Sequence, residues 1–180
     1  MKKLLFSYLF LIYCISGFSQ NSRLHADINY PFPIGDNFIG KNYHGVIDLG
    51  ISYMPIKVSK IRLGISTNVG FISTNEGHSE IPVHASMIKP RLNAEIVFKK
   101  FTPYVGIGYS FFKYKIPSNY SIADKTTDGL NLHCGVRYNL ISKLYLKIDC
   151  EYIKFRVEDL PDISYNKNIM IINFGVGISI

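Results

Sequence analysis

The sequence predicts an all-β chain of eight antiparallel strands in up-and-down order, closed into a transmembrane β-barrel. Three observations carry this reading. Apolar residues recur with period two along eight segments, the mark of strands with one apolar face. The connections alternate long and short, which places all the long ones at one end of a meander. Charge is almost absent from the apolar faces, whereas the opposite faces are crowded with glycine, so the apolar side is predicted to face outward.

Before the first strand, MKKLLFSYLFLIYCISGFSQ reads as a secretory signal peptide over residues 1–19. Lys2 and Lys3 form its basic start, Leu4 to Ile15 its apolar run and Ser16 to Ser19 its small-residue exit. The expected mature unit is one barrel domain over 20–180. Tyr13 ahead of Cys14 argues against a lipidated start.

The strands follow in order. Segment 22–30 turns Arg23, His25 and Asp27 to the polar face, and 43–54 turns His44, Asp48 and Gly50. Segment 61–73 sets Ile61, Leu63, Ile65, Val69 and Phe71 against Arg62, Gly64, Ser66, Asn68 and Gly70. Segment 86–98 carries Lys89, Arg91 and Glu95 inward. Pro90 interrupts it, so a bulge or a later start is expected there. In 103–114, Val105, Ile107, Tyr109 and Phe111 alternate with Gly106, Gly108 and Ser110. Segments 129–140 and 144–156 pair best about Ser142, which brings Leu132 to Tyr152, Cys134 to Cys150, Val136 to Ile148 and Tyr138 to Leu146. The same register sets His133 to Glu151, Gly135 to Asp149 and Arg137 to Lys147, and a slip of one residue would spoil both faces. Segment 169–180 closes the set, with Met170, Ile172, Phe174, Val176, Ile178 and Ile180 on one side. Ten residues at about 3.3 Å, tilted by about 45°, cover roughly 23 Å, close to the hydrocarbon band of an outer membrane. Aromatic residues gather near strand ends, Tyr30, Tyr43, Tyr53, Phe98, Tyr109, Phe111, Tyr138 and Tyr152, and some of these would form interfacial girdles.

Composition narrows the function classes. Without Lys2 and Lys3 the chain holds 18 basic and 13 acidic residues, scattered rather than clustered on a helix, which argues against a nucleic-acid partner. The competing architecture is a soluble exported barrel with its faces reversed and an apolar cavity inside.

The run KKFTPYVGIGYSF, a basic short turn leading into Pro-Tyr-Val-Gly-x-Gly, resembles the outer-membrane β-barrel families of Gram-negative bacteria. In size the chain is similar to their small eight-stranded members, of the OmpA membrane-domain and OmpX kind. The end NFGVGISI resembles the C-terminal signal read by the barrel assembly machinery, through Asn173, Gly175, Ile178 and Ile180, with Ile180 standing where the family usually has Phe. The resemblance implies outer-membrane lipid and that machinery as partners, and a monomer. The loop pattern then places both termini in the periplasm.

The candidate chemistry lies in the lumen. His133, Arg137, Lys147, Asp149, Glu151, Arg62, Asp48, Glu95 and Arg91 are expected to form an ion-paired network, since a buried charge must find a partner. His133 facing Glu151 could also be read as an acid/base pair, and Cys134 with Cys150 as a disulfide or as two small lipid-facing side chains. His78 and His84 with Glu76 and Glu80 match no recognised metal spacing. No catalytic residue, cofactor or metal is therefore assigned. The expected role is structural or surface interaction through the long loops. A narrow pore for small solutes and a lipid-modifying enzyme are the alternatives.

Overall fold

A computed structural model describes residues 23–74, 84–115, 125–141, 143–156 and 168–180. The leader at 1–19 lies outside them, as do His78, Glu76 and Glu80. Eight strands run β1 (Arg23–Ile34), β2 (Tyr43–Val58), β3 (Ile61–Thr74), β4 (His84–Ile96), β5 (Phe101–Lys115), β6 (Lys125–Asn139), β7 (Leu144–Arg156) and β8 (Asn168–Ser179), with a single helical turn α1 (Phe38–Asn42) after β1. Each strand pairs with its sequence neighbours, and β1 closes on β8. Closure removes every sheet edge, which suits strands that must cross lipid without unpaired backbone groups. At the seam Ile180 donates to the Leu24 carbonyl at 2.8 Å and Leu24 donates back at 3.4 Å. Among the described residues no helix is long and apolar enough to cross a membrane.

The outer surface is a continuous apolar band. Ile65, Leu92, Val105 and Phe174 are each at least half exposed on it. In a soluble protein such a band would be an aggregation surface; in a bilayer it is the lipid contact. Aromatic pairs sit toward both rims, Phe101 with Tyr138 at 5.0 Å between centroids and Tyr109 with Phe111 at 5.3 Å. The predicted β6–β7 register is reproduced residue for residue, from Asn139–Tyr145 to Leu132–Tyr152.

Four local features depart from the expectations. First, β1 extends through Pro31 and Pro33 to Ile34. Its ladder to β2 ends at Asn29–Asp48 while the ladder to β8 continues to Ile34–Met170, so the missing donors fall where β2 has already parted. Second, β4 runs straight through Pro90 without a bulge. Thr67–Pro90 pairing with β3 is unbroken, and the β5 register resumes unshifted on either side of Lys89 and Pro90. Third, β2 carries a bulge between Gly45 and Ile47. One extra residue reverses the faces beyond it, so His44 is exposed and Tyr43 is 4 % exposed in the interior, not in an outer girdle. Fourth, α1 was not anticipated: it is one turn long, started by Asn37 Oδ1 accepting from the Gly40 amide at 2.7 Å.

A second bulge between Tyr53 and Ile56 lets β2 reach Val58, which leaves only Ser59 and Lys60 to turn the chain into β3. Ser59 has φ of 57°, a conformation that costs an L-residue about 1 kcal/mol or more. Ser59→Gly is accordingly expected to stabilise the barrel by about 1 kcal/mol, seen as a higher urea midpoint in detergent micelles; an unchanged or lower midpoint would show that the turn is unstrained.

Candidate functional site: a lumen filled in two layers

Alternation sends every second residue of each strand inward, and eight strands leave an interior that side chains can fill. Crowding explains the glycines of the inner face. A Cβ on Gly106 would overlap Asn93 and His133, and one on Gly177 would overlap the Tyr145 ring.

The central layer is polar. Among described side chains its buried acids are Asp27, Asp48, Glu95, Asp149 and Glu151, and its buried bases are Arg62, Lys89, Arg91, Arg137 and Lys147, five of each. Lys89, fully buried, bridges Asp48 at 2.7 Å and Glu151 at 2.8 Å. Arg91 pairs with Glu151 and extends to Asn131 Oδ1 at 3.0 Å and Asn68 Oδ1 at 3.1 Å. Asn29 and Asn68 both donate to Asp48. Lys147 joins Asp27 at 3.0 Å to Asp149 at 3.2 Å, and Asp149 also accepts from Tyr104 at 2.9 Å and from Asn173 at 2.7 Å. Toward the short-turn end, Glu95 holds Arg62 at 3.4 Å and Arg137 as well, while the Arg137 guanidinium lies over the rings of Tyr104 and Tyr145. The charges of this network are mutually paired, so removing one strands another buried charge. Asn29 Oδ1, Arg62 Nε, His133 Nδ1 and Arg137 Nε are buried in it without a hydrogen-bond partner among the described residues.

The register therefore brings the predicted lumen residues into one network whose ion pairs run mostly across the barrel, Lys147–Asp149 being the pair within the β6–β7 hairpin. Arg137 and Lys147 are direct neighbours of like charge, and each turns to a carboxylate elsewhere: Glu95 and Asp27. His133 stands opposite Glu151 as expected, yet its Nε2 meets Asn93 Oδ1 at 2.8 Å while Glu151 is taken by Lys89 and Arg91. These two do not form an acid/base pair. The sequence reading missed the neutral bridges Asn29, Asn68, Asn93, Asn131, Tyr104 and Tyr145. Their only signal was that they share the inward period of the charges.

Cys134 and Cys150 are direct partners on the lipid side, and both thiols are free. Leu140 donates to the Leu144 carbonyl while Asn139 donates to Lys100, so even-numbered residues of β6 bond to β7. Cys134 thus occupies a hydrogen-bonded pair, where side chains stand farther apart than a cross-strand disulfide favours. Of the residues read from the sequence as a C-terminal signal, Ile178 and Ile180 point outward, whereas Asn173 is 3 % exposed within the polar network.

The second layer lies at the long-loop end and is apolar. Tyr43, Ile72, Ala85, Met87, Phe112, Ile153, Phe155, Ile169 and Ile171 pack together, α1 adds Ile39, and Tyr114 flanks them. Phe112 meets Phe155 edge-on at 4.7 Å between centroids and stacks on Tyr114 at 6.2 Å. A cavity of about 30 Å³ lies among the inward side chains beside Ser66, His133 and Arg137. Among the described residues no cluster of ligands could hold a metal ion.

Comparison with known proteins agrees with this architecture. Among solved structures the chain resembles the N-terminal β-barrel domain of Pseudomonas aeruginosa OprF (14% identity, 88% of this chain and 97% of that one, TM-score 0.58). It also resembles the attachment invasion locus protein Ail of Yersinia pestis bound to the heparin analogue sucrose octasulfate (14% identity, 88% and 97%, TM-score 0.60), and the outer membrane enzyme PagL (14% identity, 88% and 99%, TM-score 0.52). At such identities these likenesses show the fold alone, and the three include an enzyme. A search of curated proteins found no match. The model of the outer membrane protein beta-barrel domain matches residues 15–179, nearly the whole chain, and the protein belongs to that family.

Proposed function

We propose that this protein is a closed, non-conducting outer-membrane barrel that acts as a structural and surface-interaction element, its long loops forming the contact surface. The doubly filled lumen carries the reading. A solute would have to displace both the apolar layer and an ion-paired layer of balanced charge. A selective pore would instead carry a ring of one sign of charge around open space. The proposal assigns no catalytic role, since His133 and Glu151 are each committed to other partners. The neighbour Ail, in complex with the heparin analogue sucrose octasulfate, supports the surface-interaction part of the reading. In this reading the termini are periplasmic, the barrel is monomeric, and Ile178 and Ile180 belong to the segment presented to the assembly machinery.

Planar-bilayer recording tests it. Protein whose unheated band shifts on boiling, and which is therefore folded, is expected to give no steady single-channel current. Regular conductance steps from that material would overturn the closed-barrel reading in favour of a solute pore.

A further inference from the structure

The acidic residues are distributed unevenly. Five of the 13 lie in the lumen, Asp128 lies on β6, and the other seven, Asp36, Glu76, Glu80, Asp124, Glu158, Asp159 and Asp162, fall in the long connections. The three short turns carry none. Each carries lysine instead: Lys57 and Lys60 at β2–β3, Lys99 and Lys100 at β4–β5, and Lys143 at β6–β7, all exposed. Solubility alone would be served by either sign of charge.

Apolar side chains separate these lysines. Val58 and Ile141 are each 63% exposed, and Phe98 and Phe101 about half exposed on either side of Lys99 and Lys100. The Phe101–Tyr138 ring pair lies directly beneath that turn. Apolar and aromatic groups at a barrel rim sit at the level of the headgroups, and lysines interleaved with them are held at the depth of the phosphates.

We propose that the short-turn rim is a binding collar for anionic phospholipid headgroups of the leaflet it faces. A soluble anionic polymer would require the amines but not the exposed Val58, Phe98 and Ile141 between them. The collar fixes the barrel's depth and gives its two ends different lipid preferences. This inference is independent of whether the lumen conducts.

Spin-labelled lipids provide the test. The folded protein is reconstituted in phosphatidylcholine vesicles, and the immobilised fraction of spin-labelled phosphatidylglycerol is compared with that of spin-labelled phosphatidylcholine. The native chain is expected to favour phosphatidylglycerol about fivefold at collar sites, the ratio that roughly 1 kcal/mol per lysine gives, and to lose much of that preference in high salt. A variant combining Lys57→Gln, Lys60→Gln, Lys99→Gln, Lys100→Gln and Lys143→Gln is expected to bring the ratio near one while keeping its heat-dependent gel shift. A second variant with Lys113→Gln, Lys115→Gln and Lys154→Gln, near the other end, is expected to keep it. No preference in the native chain, an unchanged ratio in the first variant, or loss of preference only in the second would each overturn the collar.

Discussion

Lys89→Ala is expected to lower the stability of the folded barrel by about 3–5 kcal/mol, the cost of leaving buried carboxylates without their cation. Lys89 is fully buried and bridges Asp48 on β2 to Glu151 on β7, so its loss strands a carboxylate on two separated strands. Arg91 still reaches Glu151, and Asn68 still donates to Asp48, which keeps the loss from being larger. Urea titration in lipid vesicles, read as the fraction of heat-shifting band, measures the change. Lys89→Met separates charge from volume: it restores most of the packing and none of the pairing. Adding Glu151→Gln to Lys89→Met should recover part of the loss, because the two changes cancel in charge. If Lys89→Met were as stable as the native chain, water would be solvating these carboxylates and the central layer would not be a sealed plug.

Phe112→Ala is expected to cost a similar amount, about 3–5 kcal/mol, by opening a cavity in the apolar layer. Its ring is 1 % exposed, set edge-on to Phe155 and stacked on Tyr114. The same titration reads the loss. Bilayers containing this variant should stay silent, because the ion-paired layer below is untouched. A stability unchanged by Phe112→Ala would mean that the long-loop mouth is loosely filled, leaving the polar layer to close the barrel alone.

The two variants probe layers of very different legibility. The polar layer could be read from single strands. Arg62, Arg91, Asp149 and Glu151 fall on the inward period of segments whose other face is apolar, and alternation leaves no freedom once one face must meet lipid. The apolar layer could not. In Ile169–Ile172 both faces are apolar, so period two vanishes where lumen and lipid both take hydrophobic side chains. His44 and Tyr43 were assigned to the wrong sides for a related reason: the bulge after Gly45 is a property of β2 against β3, and nothing in YHGVID marks it. At Pro90 a bulge or a later start is expected because a strand in a closed barrel needs its donors. At Pro31 and Pro33 the missing donors fall where the ladder to β2 has ended, and at Pro90 the ladder to β5 skips Lys89 and Pro90 without changing register.

The sequence by itself determined the number of strands, the face each turns to lipid except at the start of β2, the end that carries the long loops and the β6–β7 register. All of these follow from period-two alternation and the spacing of turns, which are local along the chain. Only the tertiary structure decided that Lys89 reaches Asp48 and Glu151, that Arg137 turns to Glu95 instead of a partner within its own hairpin, and that ten apolar side chains close the long-loop mouth. Such contacts cross the lumen between strands far apart in sequence. They are set by how the closed sheet tilts and staggers its strands, which no single segment encodes.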